Sequence, residues 1–333
     1  MNFIESDMKH RIAIIAGGDS GEYDISIKSA GVVKKHLDSS RFDVFLVIIR
    51  GKDWKCLLDD GKEIPVDKDD FSVSLQGVKL NFDGIFVAVH GTPGEDGKIQ
   101  GYFDMLGIPY TSCDQVTSAL TFDKFFCNHF VKSFGVNISR SIVLRKGEPL
   151  IPENILQQIS LPCFVKPNRG GSSVGTSKVK VPEELMPALG LAFNEDSQVI
   201  LEEHIPGREL SCGTITFRGE AITLPVTEII SKKEFFDYEA KYQGMSEEVT
   251  PADILENVAA EIRETSLKLY KLLNCKGMVR FDYILNGEKL IFLEVNTVPG
   301  MSELSIVPQQ AVTAGISLDD LFTETMLNAL SSR

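Results

Sequence analysis

Apolar and polar positions in the first third of the chain follow the pattern of an α/β domain. Apolar runs span residues 11–16, 42–49 and 82–89, and the stretch 25–37 has the periodicity of a helix. Strands that alternate with helices in this way form parallel sheets. The pattern predicts a Rossmann-like first domain over residues 1–113.

The pattern of predicted helices and strands changes after this domain. A helical stretch near 117–134 leads to short strands at 162–167 and 198–202 around a glycine-rich loop, which predicts a small α+β domain over 114–202. A third domain is predicted over 203–333. Its pattern consists of strands at 210–216 and 221–230, a polar loop, a long helix at 253–273 and a hairpin at 278–296.

The hairpin carries charged and polar groups on strands that are otherwise apolar. Arg280 and Asp282 lie on its first strand, and Glu294 and Asn296 on its second. Because side chains alternate along a strand, each pair shares a face. Three of the four supply the carboxylate or amide oxygens that Mg²⁺ prefers, and Arg280 suits negative charge on a transferring phosphate or carboxylate. A plain hairpin with a polar solvent face is the alternative.

The pairing register decides whether these four groups form one site. A two-residue turn at Asn286-Gly287 would pair Val279 with Glu294 and put the two pairs on opposite faces. One shared site therefore requires an odd-length loop or a bulge. We predict a turn of three or five residues around Asn286 to Glu288, and a clean two-residue turn would exclude the site as described.

Composition narrows the class of protein. A length of 333 residues favours two or three domains, and the net charge of −13 opposes nucleic-acid binding. The six cysteines lack CxxC spacing, which is typical of reduced thiols. The chain has no apolar run of about 20 residues that could span a membrane, and its start lacks a signal-peptide layout. We expect a cytoplasmic protein without nucleic-acid or membrane partners.

The turn after the first strand, Gly17-Gly-Asp-Ser-Gly-Glu22, lacks the GxGxxG spacing of a dinucleotide site. The second strand also ends in Arg50 where an acidic ribose ligand would be expected. Asp19, Glu22 and Asp24 crowd the start of the following helix with negative charge, which favours an ammonium group over a phosphate. The alternative is that these acids only cap the helix.

A second motif, Phe164 to Gly175, combines a strand with a glycine-rich loop whose amides could wrap phosphate oxygens. Thr176 stands where a Walker A loop requires lysine, but Lys166 and Lys124 can supply the positive charge. The alternative is an ordinary turn. A third motif, Val199 to Glu209, could pair its backbone with an adenine edge and offer Glu209 to ribose hydroxyls, or could serve only as a domain hinge.

Together the motifs resemble the D-alanine–D-alanine ligase family of the ATP-grasp superfamily over nearly the whole chain. The resemblance is carried by Gly17-Gly-Asp-Ser-Gly-Glu, His90-Gly-Thr-Pro-Gly-Glu-Asp-Gly, Lys166-Pro-Asn-Arg-Gly-Gly-Ser-Ser-Val-Gly, Asp237-Tyr-Glu-Ala-Lys-Tyr, Arg280-Phe-Asp, and Glu294-Val-Asn-Thr-Val-Pro-Gly-Met with Ser305. It implies a three-domain ATP-grasp architecture, with ATP between the second and third domains. It also implies a homodimer that joins two D-alanine molecules for bacterial peptidoglycan.

The resemblance further implies a set of site residues. Two Mg²⁺ ions, for which Mn²⁺ can substitute, would bind Asp282, Glu294 and Asn296. The nucleotide would contact Lys124, Lys166, Ser173, Glu202, Glu203, Ile205, Glu209 and Lys241. The catalytic set would be Glu22, Ser172, Tyr242, Arg280 and Ser305, and the substrate-binding set Glu22, His90, Gly300, Ser305 and Ile306.

The implied roles follow the chemistry of a ligase. Glu22 would bind the ammonium group of the first D-alanine, and Ser172 and Tyr242 would join it in a hydrogen-bonded bridge under a lid loop. Ser305 and the amide of Ile306 would hold the carboxylate of the second D-alanine. The Arg280 guanidinium and the amide of Gly300 would stabilise the oxyanion of the tetrahedral intermediate.

Asn128, Gly170 and Glu203 depart from the family pattern. These departures concern the contacts with the nucleotide. The Lys241-Tyr242 pair resembles ligases that make D-alanyl-D-alanine, whereas relatives that use D-lactate carry a different lid sequence. D-serine as the second substrate stays open. A non-catalytic ATP-grasp protein and a nicotinamide oxidoreductase are the alternatives outside this activity.

Overall fold

We describe residues 9–231 and 246–331 in a computed structural model of the chain. The strands of these ranges form three sheets, which follow one another along the sequence. They confirm the predicted combination of α/β and α+β parts, and the first sheet is mixed, with a parallel portion around β1 (His10–Gly17). The exact boundaries 113/114 and 202/203 stay predictions.

The first sheet has, within the described residues, the strand order β6-β5-β4-β3-β2-β1-β7. β1 pairs in parallel with β2 and β7, as the apolar runs predicted. The elements are β1 His10–Gly17, α1 Tyr23–His36, β2 Phe42–Arg50, β3 Asp53–Leu57, β4 Glu63–Asp67, β5 Ser72–Leu75, β6 Val78–Leu80, β7 Gly84–Val87 and α2 Lys98–Leu106. The antiparallel strands β3 to β6 were not predicted, because they are only three to five residues long and mix apolar with polar residues.

The second sheet has the order β10-β9-β11-β8 and is antiparallel throughout its described pairs. Its elements and the helices near it are α3 Gln115–Phe122, α4 Lys124–Ser133, β8 Ser141–Arg145, α5 Pro152–Leu156, β9 Cys163–Pro167, β10 Ser177–Val179, a 3₁₀ turn Pro182–Glu184, α6 Leu185–Glu195 and β11 Gln198–Glu203. The glycine-rich loop connects β9 to β10. It therefore lies at one end of this sheet.

The third sheet has the described order β15-β14-β12-β16-β17, with β13 paired to β12. Its elements are β12 Arg208–Phe217, β13 Glu220–Thr223, β14 Thr227–Ser231, β15 Ser246–Val249, α7 Glu256–Leu272, β16 Met278–Asn286, β17 Lys289–Asn296, α8 Ile306–Thr313 and α9 Leu318–Ser331. The predicted strand 221–230 is wrong as one strand. Pro225, which cannot donate to a strand ladder, lies between β13 and β14.

The last helix returns to the first sheet. Phe322 of α9 is fully buried, and its ring packs edge-on against Phe86 of β7 with the centroids 6.0 Å apart. The same core includes residues of α1 and of the segment after β17. This packing fixes the third sheet against the first. No helix of the described ranges combines the length and apolarity that a membrane crossing requires.

The predicted helical stretch 117–134 is wrong as one helix, because it breaks at Asp123. This residue has an extended backbone (φ −85°, ψ 101°), and its side chain accepts the N–H of Phe126 as the N-cap of α4. Aspartate competes with the helix for backbone donors, so it begins a new helix here. The break places Lys124 in the first turn of α4. Its backbone N–H donates to the Asn168 carbonyl at the start of the glycine-rich loop.

Candidate active site

A cavity of about 1170 Å³ lies where the three sheets meet. Its walls include α1, the glycine-rich loop, the edge of β11 and β12, the hairpin β16–β17 and the segment 297–306. Binding sites for small ligands commonly have this size and lie between domains. The site residues predicted within the described ranges line this cavity, except Asp282, which lies behind its wall in contact with the lining residues Arg280 and Asn296.

The hairpin has a two-residue turn, so the predicted turn of three or five residues is wrong. Asn286 pairs with Lys289, and the turn consists of Gly287, with φ 59°, and Glu288. The register then shifts between Asp282 and Tyr283, which leaves Leu293 as the extra residue of a bulge.

This bulge restores the shared face that the turn alone would have prevented. Beyond it, Asp282 lies opposite Glu294, and Arg280 lies opposite Asn296. Directly opposite residues of an antiparallel pair point to the same face. A shared site required an odd-length loop or a bulge, and the chain uses the bulge.

Asp282 is the most enclosed member of this group, with 3% of its side chain exposed. The Arg280 guanidinium donates to both carboxylate oxygens, with Nη2 to Oδ2 at 2.8 Å and Nε to Oδ1 at 3.0 Å. Ser211 donates its hydroxyl to Oδ1 at 2.6 Å, and the Asn296 amide donates to Oδ2 at 2.9 Å. Burial alone would lower the pKa of Arg280, but the carboxylate of Asp282 raises it, so the guanidinium stays charged.

Glu294 is more open, with 28% of its side chain exposed, and its Oε2 lies 3.7 Å from the Lys124 ammonium. The orientation of Asn296 follows from its bond to Asp282: a carboxylate only accepts, so the NH₂ group faces Asp282 and the amide oxygen stays available to a cation. The described residues contain no cluster of three or more His, Cys, Asp or Glu side chains that could hold a metal alone. Two carboxylates and an amide oxygen fit Mg²⁺ that takes its other ligands from phosphate and water.

Glu22 lies directly before α1 and is 9% exposed. The Ser172 hydroxyl of the glycine-rich loop donates a short hydrogen bond to Oε1, which joins the first sheet to the second. Oε2 has no hydrogen-bond partner among the described residues and is buried. A Cβ placed on Gly171 would lie 2.6 Å from this oxygen, so only glycine allows the loop to approach it.

His90 follows β7 and is 4% exposed. Its Nδ1 lies 2.8 Å from the Val298 carbonyl, which can only accept, so Nδ1 carries the proton. Nε2 then accepts from the Ser29 hydroxyl at 2.9 Å. Burial lowers the pKa of His90 below its usual value of 6.5, although the charge of Glu22 opposes the shift. The ring therefore links α1 to the segment after β17.

The glycine-rich loop brings two lysines to the cavity. Lys166 on β9 pairs with Glu202 on β11 at 2.7 Å. Burial would lower the pKa of Lys166, but Glu202 raises it. Lys124 donates to the Gly170 carbonyl at 2.6 Å, and Ser172 and Ser173 both have left-handed backbones, with φ 50° and 58°. For residues other than glycine, a left-handed backbone costs free energy. Such strained residues are often found in loops that bind a ligand.

The edge of β11 and β12 supplies the opposite wall of this part of the cavity. The predicted nucleotide contacts Glu202, Glu203, Ile205 and Glu209 all line it. Asn128 of α4 donates to Glu202 at 3.1 Å, so the position that departs from the family pattern acts on a predicted contact residue. The structure thus brings these residues together.

Ser305 lies immediately before α8, and Ile306 is its first residue. The Ser305 hydroxyl shares a hydrogen bond of 2.8 Å with Ser302, and a Cβ on Gly300 would lie 2.8 Å from the Ser305 oxygen. The first amides of a helix have no partner inside the helix and attract carboxylates. Gly300, Ser305 and Ile306 all line the cavity on the side of α1. Lys241, Tyr242 and the predicted lid loop lie outside the described residues.

Glu95 is a site residue that the sequence argument missed. Its two oxygens accept the backbone N–H groups of Gly91 at 2.8 Å and Val298 at 3.0 Å. Burial, followed by the charge of Glu22, raises the pKa of Glu95 to about 8. Glu95 belongs to the motif that begins at His90 and helps to carry the family resemblance. An acid in this motif without an assigned role was the feature of the sequence that could have identified it.

Family comparisons agree with this geometry. A family model described as the D-ala D-ala ligase N-terminus matches residues 11–113, and one described as the D-ala D-ala ligase C-terminus matches residues 130–327. Together they cover most of the chain. The fold and the site define a ligase of the ATP-grasp type.

Individual relatives place the chain more closely. The D-alanine–D-alanine ligase of Phocaeicola vulgatus is 44% identical over 322 residues, which are 96% of this chain and 99% of the relative. The solved VanG D-Ala:D-Ser ligase of Enterococcus faecalis is 31% identical with a TM-score of 0.85, covering 96% and 98% of the two chains. The D-alanyl-alanine synthetase A of Vibrio cholerae is 26% identical with a TM-score of 0.89, covering 98% and 100%. The chain belongs to the D-alanine–D-alanine ligase family.

Proposed function

We propose that this protein joins two D-alanine molecules into D-alanyl-D-alanine at the expense of ATP, and that the product serves bacterial peptidoglycan synthesis. The observation that carries the proposal is one cavity with three chemically different walls. A metal and phosphate wall is formed by the hairpin, an ammonium site by Glu22, and a carboxylate site by the start of α8. Membership of the ligase family supports the same function.

The first step activates a carboxylate, which is a poor acyl donor. An oxygen of the first D-alanine attacks the γ-phosphorus of ATP, ADP leaves, and an acyl phosphate forms. Glu22 holds the ammonium group of this D-alanine through the oxygen that lacks a partner among the described residues. Lys124 and Lys166 place positive charge beside the phosphates.

The proposed metal site serves the same step. Asp282, Glu294 and Asn296 would hold two Mg²⁺ ions, which spread phosphate charge when bound. The bulge at Leu293 puts these three side chains on one face. Their carboxylate and amide oxygens match the preference of Mg²⁺, and Mn²⁺ can replace it.

The second step forms the peptide bond. The amine of the second D-alanine attacks the acyl carbonyl, and collapse of the tetrahedral intermediate releases phosphate. Arg280 and the Gly300 amide face the oxyanion, and loss of one such donor typically costs about 3 kcal/mol of barrier. Ser305 and the Ile306 amide hold the carboxylate of the attacking D-alanine. Ser172 donates a hydrogen bond to Glu22, and the family resemblance implies that Tyr242, which lies outside the described residues, would complete a bridge that excludes water from the acyl phosphate.

A second candidate is ligation of D-alanine to D-serine. It is favoured by the fold similarity to a D-Ala:D-Ser ligase at 31% identity. The test measures ATP turnover with D-alanine alone, then with D-serine or D-lactate added, and identifies each product by mass. D-alanyl-D-alanine as the main product supports the first candidate. A mixed dipeptide formed in preference supports the second, and ATP turnover without any dipeptide contradicts both.

We further propose that the enzyme acts in the cytoplasm as a homodimer and needs no nucleic acid or membrane. The strongly negative net charge supports independence from nucleic acid. Dimerisation rests on the family resemblance alone. Sedimentation of the purified protein tests it.

A further inference from the structure

Among the described residues, the cavity is lined by one lysine whose charge has no role in the mechanism above. The lysine and arginine side chains that line the described cavity are Lys28, Lys124, Lys166, Arg208 and Arg280. Four of them pair with acids: Lys124 with Glu294, Lys166 with Glu202, Arg208 with Glu228 and Arg280 with Asp282. Lys28 has no carboxylate within ion-pair distance among the described residues, and its side chain is exposed.

Lys28 lies on the face of α1 that turns towards the segment 300–305. Helical spacing puts it on one face with Asp24, Ile25 and Val32, and all of them line the cavity. The neighbouring residue Ser29 accepts the N–H of Met301 at 3.3 Å. Two turns later, Lys35 pairs with Glu303 at 2.7 Å. The helix therefore runs alongside the segment that ends at Ser305.

Within the described ranges, the proposed acceptor site has no cation of its own. Its carboxylate donors, the Ser305 hydroxyl and the Ile306 amide, are neutral. Arg280 is already engaged by Asp282, and the charge of Glu303 is taken by Lys35. An ammonium group at this wall that is unpaired among the described residues, such as that of Lys28, would add the positive charge that these neutral donors lack.

We propose that Lys28 guides and positions the carboxylate of the second amino acid as it enters the acceptor site. The proposal rests on the proposed ligase function. The ammonium group supplies attraction across the open part of the cavity, and Ser305 and Ile306 then fix the final position. The effect concerns the acceptor only, since the donor is held by Glu22 and the nucleotide lies on the side of β11 and the hairpin.

The test uses the full-length enzyme with saturating ATP and Mg²⁺, and measures dipeptide formation over D-alanine concentrations that already saturate the donor site. Lys28→Gln should raise the KM for the acceptor about fivefold, with kcat and the KM for ATP close to wild type, because an exposed charge contact is worth a factor of this size. Lys28→Arg should restore the wild-type KM. Lys34→Gln, on the same helix but outside the cavity, is the matched control and should behave as wild type.

Ionic strength separates a charge effect from a packing effect. Between about 50 and 300 mM NaCl, acceptor kcat/KM should fall for the wild type and stay nearly flat for Lys28→Gln, since salt screens exposed charges over this range. An unchanged acceptor KM and salt dependence in Lys28→Gln would overturn the inference. So would a rise in the KM for ATP instead, which would assign Lys28 to phosphate. Wild-type protein that makes no dipeptide would refute the proposed function itself, whereas dipeptide synthesis insensitive to Lys28 refutes only this inference.

Discussion

The two acids of the hairpin differ in what surrounds them, although they stand opposite each other. Asp282 is enclosed by hydrogen bonds from Arg280, Ser211 and Asn296, whereas Glu294 faces the cavity with about a quarter of its side chain exposed (28%). A buried, fully bonded acid contributes to folding as well as to chemistry. A cavity-facing acid of this kind should serve mainly the bound cation.

Glu294→Gln should therefore reduce turnover far more than stability. The substitution removes the negative charge that faces phosphate-bound Mg²⁺ while keeping the shape of the side chain. We expect Mg²⁺-dependent ATP turnover to fall at least about tenfold, with a Tm within about 2 °C of wild type. Glu288→Gln in the exposed turn of the same hairpin is the control. Normal turnover, or an unfolded variant, would contradict the role given to Glu294.

His90 should make stability depend on pH below neutrality. Its pKa is lowered from 6.5 by burial, so the unfolded chain binds a proton more readily than the folded one. The free energy of unfolding should decrease as the pH falls from about 6.5 towards the lowered pKa, and no penalty should exist above 6.5. His90→Gln, which can keep one donor and one acceptor, should show a smaller decrease. Equal slopes for both proteins in urea unfolding from pH 7 to 5 would contradict this.

At the scale of elements, Asp282 connects three neighbouring strands. It lies on β16, Ser211 belongs to β12 and Asn296 to β17. Its carboxylate also compensates the Arg280 guanidinium, whose side chain is 16% exposed. Removal of one partner of such a pair leaves an uncompensated charge.

Asp282→Ala should lower the free energy of unfolding by about 3 to 5 kcal/mol, which urea denaturation measures. The double variant Arg280→Met with Asp282→Leu removes both charges and should recover a large part of the loss. A single variant that loses less than about 1 kcal/mol would show that the pair is solvated, contrary to its burial. Both variants should lack ligase activity.

The hairpin shows how far a sequence argument can go. The alternation of apolar and polar residues correctly indicated two strands and the four groups that matter. It could not indicate the register, because a bulge at Leu293 depends on how β17 packs rather than on a distinctive local sequence. The same limit explains the missed break at Asp123, where a capping side chain overrides helical periodicity.

The site was predictable where residue chemistry is unusual for its position. The acids around Glu22 favoured an ammonium ligand over a phosphate, with helix capping as the alternative, and Glu22 lines the cavity with one oxygen unpartnered among the described residues. The ammonium ligand itself stays a prediction. Lys28 and Glu95 escaped the sequence argument, because their significance depends on which distant segments they face. Such contacts, between α1 and residues 300–305 or between Glu95 and Val298, appear only in three dimensions.

At the scale of the whole molecule, three cores and the returning helix α9 enclose all six cysteines, which lie in the described ranges. Burial raises the pKa of Cys56 and Cys163 to about 11, and that of Cys127 and Cys212 to about 12. Thiolate is the reactive form, so these thiols should be inert at pH 8. The cysteines therefore report on the integrity of the packing.

In the folded protein, an aromatic disulfide reagent at pH 8 should modify less than about one thiol per chain within minutes. All six should react once urea unfolds the chain. Rapid reaction of one full equivalent without denaturant would show local opening of a core. Bound ATP should slow any residual reaction, since ligands that bind the folded state stabilise it.

The central claim is that this cavity uses ATP to activate the carboxylate of D-alanine for attack by a second amine. The most direct measurement supplies D-alanine labelled with ¹⁸O in its carboxylate and analyses the released phosphate by mass spectrometry. Attack of that carboxylate on the γ-phosphorus carries one labelled oxygen into each phosphate that accompanies a dipeptide. We predict this one-to-one transfer, and dipeptide formation with unlabelled phosphate would contradict the account.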